Sequence, residues 1–274
     1  MRVPALIYGT AWKEAETARL TRRAIDTGFR GIDTANQRRH YVEAAVGEAV
    51  GAAIAGGGLN REDVFLQTKF TFVDGQDHRL PYDKKAPVAQ QVEQSFDSSL
   101  EHLGVEQLDS YLLHGPSRRE GLAAPDWEAW HAMERLYGAG RARLLGISNV
   151  TITQLEQLYA GASVKPALVQ NRCFATTGWD RSVRRFCSER GMGYEGFSLL
   201  TANREVLRQP LLTRIAARTG KTAAQVVFRF ALAVGMIALT GTTSAEHMAD
   251  DLGTFDFELE PGEVRSIEAL FDRA

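Results

Sequence analysis

The chain has 274 residues, 44% of them apolar and 24% charged, a balance that belongs to globular proteins and excludes a disordered chain. Its 32 basic and 34 acidic residues leave a formal charge of −2, so no global field draws it to nucleic acid or to an anionic membrane. No apolar run approaches the roughly 18 residues a membrane span needs.

The opening segment from Met1 to Gly9 lacks the long apolar stretch and small-residue cleavage site of a secretory leader. Cys173 and Cys187 are the two cysteines. Without a CxxC pairing they read as buried small hydrophobes, and a reducing cytoplasmic location is expected.

Short apolar runs alternate with longer segments of helical period, which predicts parallel strands joined by crossover helices. Strands are expected at Leu6–Tyr8, Gly31–Asp33, Val64–Lys69, Leu108–His114, Arg143–Ser148, Ala167–Gln170, Gly193–Phe197 and Met236–Thr240. Between them, helices are expected at Ala15–Thr27, Val42–Ala55, Val88–Leu103, Trp127–Tyr137, Ile152–Tyr159, Arg181–Arg190, Leu211–Thr219 and Ala245–Asp251. An extra helix spans Thr222–Val234, and Glu263–Phe271 reads as a closing helix after Pro261. Gly28, Gly56, Gly104 and Gly191 each follow a helix end, as glycines that terminate helices do. Eight such units with no Pro/Ser-rich linker predict an α/β protein, a single (β/α)8 TIM barrel domain over residues 1–274. Gly56-Gly57-Gly58 follows a helix rather than a strand, so a Rossmann fingerprint is absent.

Barrel strands are filled by Val, Ile and Leu, so ionisable residues at their C-terminal ends need a reason. Here they recur: Asp33, Lys69, His114, Ser148-Asn149 and Gln170 all fall at strand ends. Each alone has a structural reading: Asp33 capping a turn, Lys69 reaching water, His114 satisfied before a Gly-Pro turn. Their convergence on one rim points to a site.

The segment Gly28-Phe29-Arg30-Gly31-Ile32-Asp33-Thr34-Ala35, followed by Tyr41, Glu43 and Val46-Gly47, resembles the aldo-keto reductase pattern. So do Gln67-Thr68-Lys69, the run from Tyr111 to Pro116, and the run from Gly140 to Asn149. The resemblance extends from Gly9-Thr10 to the segment Phe255–Leu259. It implies NAD(P)H-dependent reduction of aldehydes or ketones, with a small-molecule carbonyl substrate and a monomer or weak homo-oligomer.

The family's catalytic tetrad carries over as Asp33, Tyr41, Lys69 and His114. Hydride arriving on carbon makes negative charge grow on oxygen, so a proton donor and fixed hydrogen-bond donors must surround that oxygen. Tyr41 would supply the proton, Lys69 would favour the phenolate, Asp33 would hold Lys69, and His114 would orient the substrate. Ser148, Asn149 and Gln170 match the carboxamide ligands of the nicotinamide. Phe197 stands where the family stacks a tyrosine, and its other reading is an ordinary strand aromatic. Gly9, Thr10, Ser198 and Leu200 would also approach the cofactor. Trp12 would line the substrate mouth or else pack at the barrel edge.

Three departures from the pattern stand out. The tyrosine usually comes five residues after the aspartate, where this chain has Arg38. The insertion Asn36–His40 precedes Tyr41, and counting back from Val46-Gly47 reaches His40 instead. After the eighth strand, Thr240, Gly241, Thr242, Thr243 and His247 replace the Lys/Arg clamp on an adenosine 2′-phosphate. NADP(H) is the expected cofactor there, by a reduced margin over NAD(H), with Asp250 or Asp251 serving adenine or ribose. Finally, Gly115–Asp126 is short for a lid, which implies an open site of broad carbonyl tolerance.

Other readings are a cofactor-binding regulatory subunit of a potassium channel and a Schiff-base aldolase acting through Lys69. A metal hydrolase lacks its signature, since the histidines show no H-x-H or H-E-x-x-H spacing.

Overall fold

Eight parallel strands close into a barrel in chain order, the last pairing with the first, in the computed structural model of the chain. The structure describes residues 3–272; Met1 and Arg2, which open the segment read above for a leader, lie outside the described residues. The strands are β1 (Leu6–Gly9), β2 (Gly31–Asp33), β3 (Phe65–Phe70), β4 (Leu108–Leu113), β5 (Ala142–Ser148), β6 (Leu168–Arg172), β7 (Gly193–Phe197) and β8 (Met236–Thr240). The α-helices among the described residues are α1 (Thr17–Thr27), α2 (Glu43–Ala55), α3 (Val88–Leu103), α4 (Ala124–Gly138), α5 (Ile152–Gly161), α6 (Arg181–Glu189), α7 (Pro210–Thr219), α8 (Ala223–Ala233), α9 (Ala245–Leu252) and α10 (Pro261–Glu268). None of them is long and apolar enough to cross a membrane.

Local chemistry explains the element limits. α1 buries Leu20, Ala24 and Ile25 on one face and ends at Gly28, whose φ of 125° an L side chain rarely adopts. α5 and α8 open on capping boxes, with the hydroxyls of Thr151 and Thr222 accepting from the backbone N–H of Gln154 and Gln225. α2 passes so close to the end of α3 that a Cβ on Gly47 would collide with the carbonyl oxygen of His102.

Two expectations are corrected. Gly56 is not the left-handed stop of α2: its φ is −71°, and the left-handed residue is Gly57 at 77°. The helical turn simply runs one residue further, with Gly56 N–H still bonded to Ala52. α4 begins at Ala124 rather than Trp127. Pro125 lacks only an N–H that the first turn would leave unpaired, and the Asp126 carboxylate accepts from the N–H groups of Ala123 and Ser117.

The large core lies between the outer face of the sheet and the helices, around Trp130, Trp179, Phe96 and Phe230. A separate cluster of Ile7, Phe65, Leu168 and Leu239 fills the barrel interior. Along β3 the inward positions continue as Gln67 and Lys69, so the interior turns polar toward the C-terminal rim.

Candidate active site

β3 delivers Lys69 to the barrel interior with no solvent exposure. Its Nζ donates to both carboxylate oxygens of Asp33, at 2.6 and 2.7 Å, and to the carbonyl oxygen of Thr34 at 2.8 Å. All three ammonium protons are therefore engaged. Burial opposes the charge, but the Asp33 carboxylate, joined by Tyr41 and Glu195, holds the Lys69 pKa above its usual value. An unpaired ammonium there would cost several kcal/mol, about the penalty of a buried lone ion. Asp33 is what makes the cation tenable.

Tyr41 follows the loop that leaves β2, and Lys69 Nζ lies 5.5 Å from the centroid of its ring. The imidazole of His114 stands edge-on to the same ring at 6.0 Å. Burial pushes the phenol pKa up, and the ammonium of Lys69 pulls it down by less. The influence of Lys69 thus has the expected sign, yet burial is the larger effect and the phenol is held in its protonated form. The His114 pKa is pushed down to about 3, first by burial and then by Lys69, so the ring is neutral at pH 7. His40 is placed differently: its ring packs on Trp12 with centroids 3.8 Å apart, and Trp12 N–H donates to its carbonyl oxygen at 2.7 Å.

A cavity of about 650 Å³ opens above this cluster, with Asp33, Tyr41 and His114 in its wall. Ser148, Asn149, Gln170 and Phe197 line the same space. Each amide is fixed: Asn149 Nδ2 donates to the carbonyl oxygen of His114 at 2.8 Å, and Gln170 Nε2 donates to Asp33 Oδ1 at 3.0 Å. Ser148 Oγ donates to the carbonyl oxygen of Gln170 at 2.7 Å. Gly9, Trp12, Ser198 and Leu200 complete that end, while Thr240, Gly241, Thr242, His247, Asp250 and Asp251 form the other. Ser244 caps α9 there, its hydroxyl accepting from His247 N–H. The Thr240 hydroxyl donates to Asp251 at 2.7 Å, and burial raises the Asp251 pKa to about 6.

A second cavity of about 590 Å³ shares His114 and Asn149 with the first. Its wall is largely apolar, with Phe72, Val73, Val88, Pro116 and Pro125, and His40 borders this one.

A family model described as the Aldo/keto reductase family matches residues 5–272. The chain belongs to that family. It is an oxidoreductase of the kind that reduces carbonyl groups with a nicotinamide cofactor. It is 33% identical to the oxidoreductase YtbE of Bacillus subtilis (strain 168), over 93% of this chain and 84% of that one. A glyoxal reductase of the same organism is 30% identical, over 93% and 83% of the two chains. The crystal structure of an aldo/keto reductase from Brucella melitensis matches with a TM-score of 0.82 at 29% identity, covering 97% of this chain and 95% of the other.

Within this aldo/keto reductase, two of the expected cofactor residues do not reach the cavity. Thr10 is buried, its hydroxyl and N–H both bonded to the carbonyl oxygen of Asp33 at 2.9 and 3.0 Å, so it braces β2 instead. Thr243 is exposed outside the cavity wall. Sequence reasoning also missed two charged residues. Lys13 lines the cavity, with its ammonium on the carbonyl oxygen of Gly241. A Cβ at Gly241 would lie 3.6 Å from that Nζ, so the cation occupies the space beside a residue that has no side chain. Burial lowers the Lys13 pKa. Glu195, on β7, is buried in the barrel interior and tied to Asp33 through Gln67 and Gln170. Burial raises its pKa to about 7, with the Asp33 charge adding to the effect. The available signal was weak: a lone glutamate in Tyr194-Glu195-Gly196 reads like the solvent side of an alternating strand.

Three cavity residues, Trp12, Asn149 and Ser198, hold left-handed backbones with φ of 61°, 52° and 57°. Such conformations are uncommon outside glycine and persist where surrounding structure enforces them.

Proposed function

We propose that this chain reduces aldehydes or ketones to alcohols with NAD(P)H, with Tyr41 as proton donor and Asp33, Lys69 and His114 as its partners. The observation that carries the reading is the buried Lys69–Asp33 pair beneath a cavity whose wall holds both Tyr41 and His114. The donor set fits a nicotinamide dinucleotide: in-plane amides and a hydroxyl at Ser148, Asn149 and Gln170, a π-face at Phe197, and a cation with a capped helix N-terminus at the far end. When bound, that cofactor supplies hydride. The chain's own part is to fix the carbonyl, give the proton and stabilise the growing negative charge. His114 donates to the carbonyl oxygen from its neutral ring, Tyr41 gives its phenolic proton to that oxygen, and Lys69 stabilises the phenolate left behind.

NADPH is the preferred cofactor by a narrow margin. Lys13, the hydroxyls of Thr242 and Ser244, and His247 favour a phosphate at the adenosine end, while Asp250 and Asp251 oppose it. Trp12 and the second cavity would receive the substrate. The whole chain, residues 1–274, acts as one barrel unit in this reading. The Schiff-base alternative finds no support in Lys69, whose three protons are engaged and which has no exposed surface for a carbonyl to approach.

A fluorescence titration of NADPH against NADH, followed by steady-state turnover of an aldehyde and ketone panel, tests the proposal. Cofactor binding without turnover of any carbonyl would favour a regulatory binding role instead.

A further inference from the structure

Thr71 stands two residues beyond Lys69, where the chain leaves β3, and it is buried. Its carbonyl oxygen accepts from the Tyr82 hydroxyl at 2.7 Å and from Gln76 Nε2 at 3.4 Å, which pins its backbone. Its hydroxyl oxygen lies 2.6 Å from Nδ1 of His114. His114 is itself held by its N–H on Phe70 and by its carbonyl oxygen, which accepts from Asn149. Two rigid strand ends therefore bring one hydroxyl and one ring nitrogen together.

A neutral imidazole carries its single proton on one nitrogen, and the hydrogen bond made by one nitrogen decides the state of the other. Burial keeps His114 neutral across the working pH range. The Thr71 hydroxyl has one proton and, among the described residues, one partner. If it accepted from Nδ1–H, its own proton would have no acceptor among the described residues and would face only the second cavity, whose wall Thr71 shares, at the cost of a protein hydrogen bond. If it donates to Nδ1, both groups are satisfied and the ring proton sits on Nε2. That second state is the one reduction needs, because a carbonyl oxygen gaining negative charge is stabilised by an N–H and repelled by a nitrogen lone pair.

We propose that Thr71 is a positioning residue for His114: its hydroxyl donates to Nδ1 and so holds the ring in the tautomer with hydrogen on Nε2. The inference rests on the reading that His114 donates to the substrate oxygen, but the tautomer itself is observable without turnover.

The experiment compares wild type with Thr71→Val, which keeps the shape and removes the hydroxyl, and with Thr71→Ser, which keeps the hydroxyl. Proton–nitrogen correlation spectra of protein with ¹⁵N-labelled histidine separate the two tautomers, and the His114 signal is assigned by its loss in His114→Gln. Wild type and Thr71→Ser are expected to carry the proton on Nε2, and Thr71→Val to lose that preference. With an aldehyde that wild type reduces, kcat should fall about tenfold in Thr71→Val, the equivalent of one hydrogen bond. KM, cofactor affinity and all constants of Thr71→Ser should stay within about twofold. A wild-type His114 protonated on Nδ1 overturns the proposal, and this arm stands even if Thr71→Val does not fold. An unchanged tautomer or an unchanged kcat in Thr71→Val overturns it equally. Failure of the underlying reading looks different: wild type would reduce no carbonyl, while the tautomer result would stand by itself.

Discussion

Asp33 and Glu195 share the same two amide donors. Gln67 Nε2 lies 2.9 Å from Asp33 Oδ1 and 2.7 Å from Glu195 Oε2, and Gln170 Nε2 lies 3.0 and 2.8 Å from the same two oxygens. Lys69 is the cation of this cluster and, of the two carboxylates, bonds to Asp33. Burial, with the Asp33 charge beside it, raises the Glu195 pKa to about 7, so below that pH the proton of the pair sits on Glu195.

The stability consequence has a definite sign. Between an ordinary 4.5 and the folded value of about 7, the folded chain keeps on Glu195 a proton that the unfolded chain has lost. Folding stability therefore falls as pH rises through that window, by up to about 3 kcal/mol from this group. Glu195→Gln should remove that fall, so the variant gains on wild type from pH 5 to pH 8. Urea midpoints measured across the range check it, and parallel curves for the two proteins would show that Glu195 holds no proton.

Tyr41→Phe should keep NAD(P)H binding and lower kcat by about 10²-fold or more, the scale of a lost general acid. His40→Phe should leave kcat within about threefold, because the ring packs on Trp12 and lies outside the wall that holds Asp33 and Tyr41. Since burial raises the Tyr41 pKa, reductive kcat should stay flat through neutrality and fall only above the ordinary phenol value of about 10. Steady-state rates of both variants from pH 6 to pH 10 decide the matter. Loss of turnover in His40→Phe alone would move the proton to the insertion.

Lys69→Met should cut kcat far more than it changes the Kd of either cofactor, because Lys69 lies beneath the cavity wall and contacts Asp33 rather than the dinucleotide space. Asp33→Asn should also reduce stability, by about 3 kcal/mol or more, since it strands a buried cation. Stopped-flow binding and thermal melts separate the two effects.

Lys13→Ala should weaken NADPH by about tenfold, the range of one charge-assisted hydrogen bond, and NADH by clearly less. The NADPH preference of the wild type should be modest, because Asp250 and Asp251 border the same end of the cavity. Dissociation constants at one ionic strength test this, and tighter binding of NADH would reverse the cofactor assignment.

Much of the fold was legible because each strand is a short apolar run followed by a helical period. All eight strands fall within two residues of their expected limits, as in β6, expected at Ala167–Gln170 and found at Leu168–Arg172. α4 begins three residues before its expected start, because Pro125 sits in the first turn, where a proline initiates a helix. The rim residues Asp33, Lys69, His114, Ser148, Asn149 and Gln170 were legible because polarity at a barrel strand end is costly without a use. Lys13 and Glu195 were not. A lysine after an exposed tryptophan resembles surface, and a single inward glutamate is betrayed only by partners on β3 and β6, far away in sequence.

The left-handed backbones at Trp12, Asn149 and Ser198 set activity against heat tolerance at the same positions. Each β-carbon held there costs roughly 1 kcal/mol that glycine would not incur. Selection for thermal resistance alone would test glycine at Trp12 and Ser198, thinning the cavity wall, whereas Asn149 is held by its amide bond to the His114 carbonyl oxygen, which glycine cannot make.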